Sequence, residues 1–404
     1  MLYLELLNYE LKNQLQDFVD FDEAQKRDLS EYIGTLQKIS RLSSEKVRQK
    51  ISHSENIGAI PSKELDDQNS FSIEFGTSWN NHEEARFWAN SILQNRTTFA
   101  ADGSQLYAEK ETSLPVGAIQ IGWFENPHNE EKTYEKNAHF KIISPQELLE
   151  NQEEPLKPEN LIGQKRFNAE IDKAKEFLDK HKNWREKGEK MPIAFYDGTL
   201  LLSTPHPRSE VQEAFTNKLV ELVNYSVLTK VPIVGYVDRS FARDLLNFLD
   251  AFEARITARK QTLYDATILS SKTSNDKKLL KSWGDRTCFC YSKRKGLDAF
   301  IDSESEKSIV GFSYLQTTGG SNPARVDVPT WVYEEGLLNE VLDVVRAECV
   351  IGLGYPYVLE TADVTAVITN QDRQIFLGAL QKFSQNNNLN FSFSGKNISK
   401  GRRR

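Results

Sequence analysis

The sequence predicts an α/β fold, a mixed sheet flanked by helices and preceded by a helical N-terminal segment. Three observations predict it. Short runs rich in β-branched and aromatic residues (TTFAADGS, VGAIQIGWFE, PIAFYDG, VPIVGYVDRS) end in glycine, aspartate or other turn residues, as strands do. Longer segments carry apolar residues at helical spacing. The strand-like runs come first and then alternate with helices, which is the order of a mixed sheet with helical connections.

Taken in order, residues 1–50 read as helix, with Leu2, Leu6, Leu11, Leu15 and Phe18 at helical spacing and almost no Gly or Pro. Residues 51–80 turn polar and read as a linker, and HEEARFWANSIL then forms a short helix. Two strands follow, TTFAADGS and VGAIQIGWFE. Residues 125–160 are charged, with Pro127, Pro145, Pro155 and Pro158, and read as an irregular insertion. Helix returns over about 161–182, where Phe167, Ile171, Ala174 and Leu178 mark one buried face. Strand PIAFYDG, a helix over about 208–229 and strand VPIVGYVDRS come next, and a further helix starts near Ala242 and runs into the 260s. RTCFCYS and IVGFSYLQT read as strands, and EEGLLNEVLDVVRAEC as a helix before GYPYVLETADVTAVIT. This divides the chain into a helical arm and linker (1–80) and one α/β domain (81–404).

Composition narrows the class. The 404 residues are 39% hydrophobic and 27% charged, a globular mixture, and no apolar run approaches the ~20 residues of a bilayer span. The N-terminus carries acids early and lacks the basic start of a signal peptide. Three cysteines cannot build a disulfide framework, so the cytoplasm is the expected compartment. A net charge of −7 argues against a surface coated with positive charge for nonspecific nucleic-acid binding. It is compatible with metal-binding carboxylates. The basic tail KNISKGRRR reads as a solvated terminus. Cys288 and Cys290 form C-x-C without a nearby histidine, too few ligands for zinc, so they read as buried thiols.

The chemistry lies in the acids. Asp102 and Asp197 each end an apolar run and precede glycine plus Ser or Thr. Asp-Gly is also the commonest hairpin signal, so either alone reads as a turn. The repetition suggests instead two carboxylates at strand ends, where they can share divalent cations. Glu170 lies beside the apolar stripe of its helix, one turn after Arg166; a surface ion pair fits that spacing equally well. Asp363, in LETADVTAVIT, and Asp238, in GYVDRS, complete the set. Four or five acids at one sheet edge are the ingredients of two-metal phosphodiester hydrolysis, and oxygen ligands suit Mg²⁺ or Mn²⁺. Tyr196 precedes Asp197 and by strand alternation faces the other way. Tyr355 and Tyr357 flank a proline and read as turn packing, while Trp283–Arg286 reads as a loop in which Arg286 could face DNA.

The words FAADGSQ, GAIQIGWF, KRFNAEIDKAKEFL, IAFYDGTLL, PIVGYVDRS, LKSWGDRTCFC and GLGYPYVLETAD, in that order over about 90–400, resemble the NurA-domain nucleases of double-strand break repair. The resemblance implies a ribonuclease-H-like core, an acidic active site and Mn²⁺ or Mg²⁺, with two ions expected. It also implies 5′-to-3′ exonuclease and single-strand endonuclease activity on DNA in end resection, a homodimer, and partnership with a HerA/FtsK-type hexameric ATPase. Carried over, Asp102 and Asp197 are the motif aspartates and Glu170 the helix glutamate, all metal ligands. Asp363 stands where many members have histidine; an aspartate can still ligate a hard cation, and no histidine follows His206. Arg239 stands where some members carry lysine and is expected to steady the phosphate. The alternative is a degenerate member that binds DNA or the ATPase without cleaving.

Overall fold

The structure, a computed structural model, describes residues 2–54, 56–68, 70–107, 112–149, 158–204, 207–254, 263–271, 278–319 and 322–392. The KNISKGRRR tail lies outside the described residues. The chain gathers into two compact units, each discontinuous in sequence: Met1–Ser78 with Val237–Thr330, and Trp79–Tyr236 with Trp331–Arg404. The sequence division near residue 80 is thus only one of the boundaries, because the first unit is completed by residues from the middle of the chain.

In the first unit the helical N-terminus forms as expected, as Leu4–Asn13, Leu15–Ile39 and Ser44–Ile51. Its apolar spacing does not mark a buried face throughout. Leu4–Asn13 buries no residue, and Leu15, Phe18 and Phe21 are exposed, whereas Tyr32, Leu36 and Ile39 further along are buried. Deleting residues 2–13 is therefore expected to shift the urea unfolding midpoint by no more than ~0.5 kcal/mol equivalent, as for other unpacked surface. A larger loss in a denaturation series would show that this helix contributes to the fold.

The stretch 51–80 is more ordered than its polarity suggests. Gly58–Pro61 pairs antiparallel with Cys290–Lys293, and Glu64 accepts both Nη atoms of buried Arg286 at 2.7 and 2.8 Å. Arg286 is thereby spent inside this unit and does not face DNA. The helix expected from Ala242 into the 260s instead spans Asp244–Phe252, and Ala254 (φ +51°) turns the chain out of it. All three cysteines are buried thiols, as the sequence suggests.

The second unit carries the chemistry. Its sheet contains β1 (Thr98–Tyr107), β2 (Gly117–Asn126), β3 (Glu135–Ile143), β4 (Ile193–Asp197) and β5 (Ile233–Val237), in the order β5-β4-β1-β2-β3. β1, β2 and β3 form an antiparallel meander, and β4 and β5 continue it parallel to β1. The expected irregular insertion at 125–160 thus contains a strand. β3 (EKNAHFKII) is the sheet edge, and charged side chains suit an edge that must not pair with other chains.

Helices supply the parallel crossovers. α1 (His82–Leu93) matches its expected bounds, α2 (Pro158–His181) links β3 to β4, and α3 (Glu210–Thr229) links β4 to β5. Proline opens α2 at a position where no amide donor is needed, and Ser209 with Gln212 caps α3. The apolar face of α2 packs as its periodicity predicts: Phe177 stacks on Phe99 of β1 at 4.7 Å, and Phe167 meets Phe215 of α3 at 4.6 Å. α4 (Leu338–Ile351), α5 (Tyr357–Ala366) and α6 (Asn370–Asn386) complete the unit, with α5 lying over β1 and β2. This mixed sheet, with helices on it, is the ribonuclease-H-like arrangement expected above.

Candidate active site

Asp102 does not end its strand. All ten residues of β1 pair with β2, so Asp102–Gly103 is a continuous ladder step and not a turn. The expectation fails because Asp-Gly makes a hairpin only when no partner strand continues past it. Asp197 is the last residue of β4, and Gly198 (φ +134°) turns the chain away in a conformation L-residues rarely adopt. β1 and β4 are paired over Thr98↔Ile193, Phe99↔Ala194 and Ala100↔Phe195. Continued two residues further, this register sets Asp102, midway along β1, opposite Asp197 at the carboxyl end of β4, the end at which α/β folds place ligands.

Glu170 comes from above. α2 carries it onto β1, where it is buried rather than in an exposed pair. Arg166, one turn earlier, donates from Nη1 to Glu170 Oε1 (2.5 Å) and to the Gly103 carbonyl (3.1 Å), and from Nε to Gln105 Oε1 (3.2 Å). Asp363 arrives on α5, whose backbone crosses β2 at Gly122, the ladder partner of Asp102. A β-carbon on Gly122 would sit 2.6 Å from Thr365 C and 2.8 Å from Ala366 Cα. Gly122→Ala must therefore push backbone off backbone. It is expected to cost at least the ~1–3 kcal/mol of an overpacked core, read in chemical denaturation, and a fully stable variant would contradict this packing.

The electrostatics report a surplus of negative charge. Burial pushes Asp102 up to about 6; the Gly103 amide opposes this, while the neighbouring carboxyls of Asp363 and Asp197 add to it. Burial likewise pushes Glu170 up to about 7, against the pull of Arg166 and with the repulsion of Asp102 and Asp197. Tyr196 belongs to the same neighbourhood: burial raises its phenol, and Glu170, Asp197 and Asp102 act on it.

Asp102, Glu170, Asp197 and Asp363 thus act on one another within a single neighbourhood. Among the described residues, no three Asp, Glu, His or Cys side chains are arranged as a finished metal-holding group. The donor chemistry fits a hard divalent cation nonetheless: every donor is a carboxylate oxygen, two acids hold pKa values raised by burial first and by neighbouring carboxylates second, and Arg166 is the cation paired within the cluster. Such a cation would remove the repulsion that loosens the set.

Asp238 and Arg239 lie just past β5 in the first unit, with Arg239 90% exposed and 4.0 Å from the Asp238 carboxylate. Tyr355 packs edge-on to Tyr236 and Tyr357 to Phe124, as turn packing predicts. A cavity of about 410 Å³, lined by Asn95, Thr97, Lys132, His181 and Lys190 among others, opens near the start of β1 and β4, at the far end from the acids. Sequence reasoning missed Gly122 and Glu348. Nothing local marks Gly122. Glu348 had a signal, since it continues the helical stripe Val341–Val345 at a position that should be apolar.

A ribonuclease-H-like sheet with carboxylates from two neighbouring central strands and two helices gathered where one of those strands ends defines a nuclease-type domain. The sequence model of the NurA domain matches residues 96–368. The chain belongs to the NurA-domain family and is a nuclease by that membership. Among solved structures, a crystal structure of NurA with manganese is similar at 10% identity and a TM-score of 0.37, over 73% of this chain and 92% of that one. Endonuclease V from Bacillus subtilis is similar at 12% identity and 0.27, over 78% and 97%. Kluyveromyces polysporus Argonaute with a guide RNA is similar at 10% and 0.26, over 69% of this chain and 29% of that one. No curated protein matches.

Proposed function

We propose that this protein is a divalent-metal-dependent deoxyribonuclease, a 5′-to-3′ exonuclease and single-strand endonuclease. It would act in the cytoplasm on DNA ends, as a homodimer, with a HerA/FtsK-type hexameric ATPase. The observation that supports this reading most is the convergence of Asp102, Glu170, Asp197 and Asp363 on one end of the β1–β4 pair. Their oxygens are the proposed ligands of one or two Mn²⁺ or Mg²⁺ ions. Bound there, such ions lower the pKa of water and offset charge on the phosphate. Glu170 orients water or completes the ligand set, and Arg166 keeps it in place from one turn away. Arg239 is proposed to steady the scissile phosphate through paired donors. No helix among the described residues is long and apolar enough to cross a membrane. The exposed apolar helix Leu4–Asn13 is the segment we assign to the dimer or ATPase contact.

The absence of a finished ligand group among the described residues, together with Asp363 in the histidine position, favours a second reading, a scaffold that does not cleave. One experiment separates the two. Purified protein is incubated with end-labelled single-stranded and duplex DNA, with Mn²⁺ or with EDTA. Cleavage that requires Mn²⁺ supports the nuclease; DNA intact in both conditions rejects it in favour of the scaffold.

A further inference from the structure

Glu348 is a fully buried acid of the second unit that the cluster does not use. Glu348, on α4, is 1% exposed, and both its oxygens are engaged. Oε1 accepts from Thr98 Oγ1 at 2.8 Å, and Oε2 accepts from the Val358 amide at 3.0 Å. Thr98 is the first residue of β1, the strand of Asp102. Val358 lies in the first turn of α5, the helix of Asp363. A single carboxylate therefore grips the start of both the strand that carries Asp102 and the helix that carries Asp363, which pack on one another.

The grip has a physical reason to be a carboxylate. The first amides of a helix have no partner within it, and the residue before α5 is Pro356, which offers no side-chain cap. Glu348 supplies that cap from another helix, and its negative charge suits a helix N-terminus. The other end of α5 is pinned too, by Gln120 Nε2 donating to the Ala366 carbonyl at 3.1 Å. Asp363 sits between these pins. Without Glu348, the Val358 amide and the Thr98 hydroxyl lose their acceptor in a dry interior, and α5 is held at one end only.

We infer that Glu348 is a positioning residue that holds Asp363 of α5 against Asp102 of β1, and so sets the affinity of the acid cluster for a divalent cation. The inference rests on the proposed metal-dependent reading of that cluster. It assigns Glu348 no contact with metal or DNA.

The test is Mn²⁺ binding by the full chain without DNA, read by electron paramagnetic resonance of free Mn²⁺. Glu348→Ala is expected to weaken binding about 10- to 100-fold, the usual cost of removing a group that orients a ligand. Glu348→Gln is expected to stay within about 3-fold of wild type, because its amide can accept from Val358 and donate to Thr98. Val344→Ala, a cavity in the same helix, controls for lost stability and is expected to leave affinity unchanged. A folded Glu348→Ala protein with wild-type affinity overturns the inference, as does an equal loss in Val344→Ala. Should Glu348→Ala fail to fold, Thr98→Val replaces it: a several-fold loss supports the role and wild-type affinity overturns it. Wild-type protein that binds no Mn²⁺ removes the metal reading itself, whereas Mn²⁺ bound equally by wild type and Glu348→Ala removes only the role of Glu348.

Discussion

Asp102→Asn is expected to reduce Mn²⁺-dependent DNA cleavage by at least ~100-fold while the protein stays folded. That exceeds the 10- to 100-fold typical of losing a supporting partner, because Asp102 is the hub of the cluster. It feels the carboxyls of Asp363 and Asp197, and its own charge acts on Glu170 and Tyr196. The substitution keeps shape and the β1–β2 ladder, which is made of backbone bonds. It also removes one member of a repelling set, so the unfolding midpoint of the metal-free protein is expected to hold or rise. A variant that digests labelled DNA at the wild-type rate would falsify the assignment. A variant that unfolds would instead show that the carboxylate supports the strand.

The second large effect is on pH. Asp102 at about 6 and Glu170 at about 7 hold protons in the metal-free protein that a bound cation must displace. Mn²⁺ affinity is therefore expected to climb by about 500-fold from pH 5 to pH 7 and to level off above pH ~8. Calorimetric titration in buffers of different ionisation enthalpy should find close to two protons released per binding event near pH 5 and almost none near pH 8. An affinity flat across this range would mean that neither acid is a ligand.

The same shifts govern stability without metal. Both carboxyls are raised in the folded state, so between pH ~4 and their folded values the native protein binds more protons than the unfolded chain. Their contribution is fully present below pH ~4 and is lost as pH rises through 6 and 7. Buried Asp265 in the first unit and Glu348, each pushed up to about 7 mainly by burial, act in the same direction. Thermal midpoints of the metal-free protein are expected to fall between pH 5 and pH 7.5, with Mn²⁺ restoring part of the loss at the higher pH. A rise over that interval without metal would contradict these environments.

Local physics made much of this protein legible. Periodicity located α1 to its terminal residues, since a helix satisfies its own backbone and shows a repeat of 3.6 in its apolar positions. The apolar runs ending at Asp102 and Asp197 signalled strands that bring carboxylates to a sheet, and the order of the motif words carried the family. What the sequence could not decide are relations between distant backbones. Strand β3 hid in a charged stretch because both of its faces meet solvent, so no apolar alternation marks it. The N-terminal apolar residues looked buried because spacing reports a face and not what covers it. The opposition of Asp102 and Asp197, the crossing of α5 over Gly122 and the reach of Glu348 from Thr98 to Val358 depend on register and on residues up to 260 positions apart. Those contacts exist only once the chain is folded, because no single segment contains both of the groups that meet.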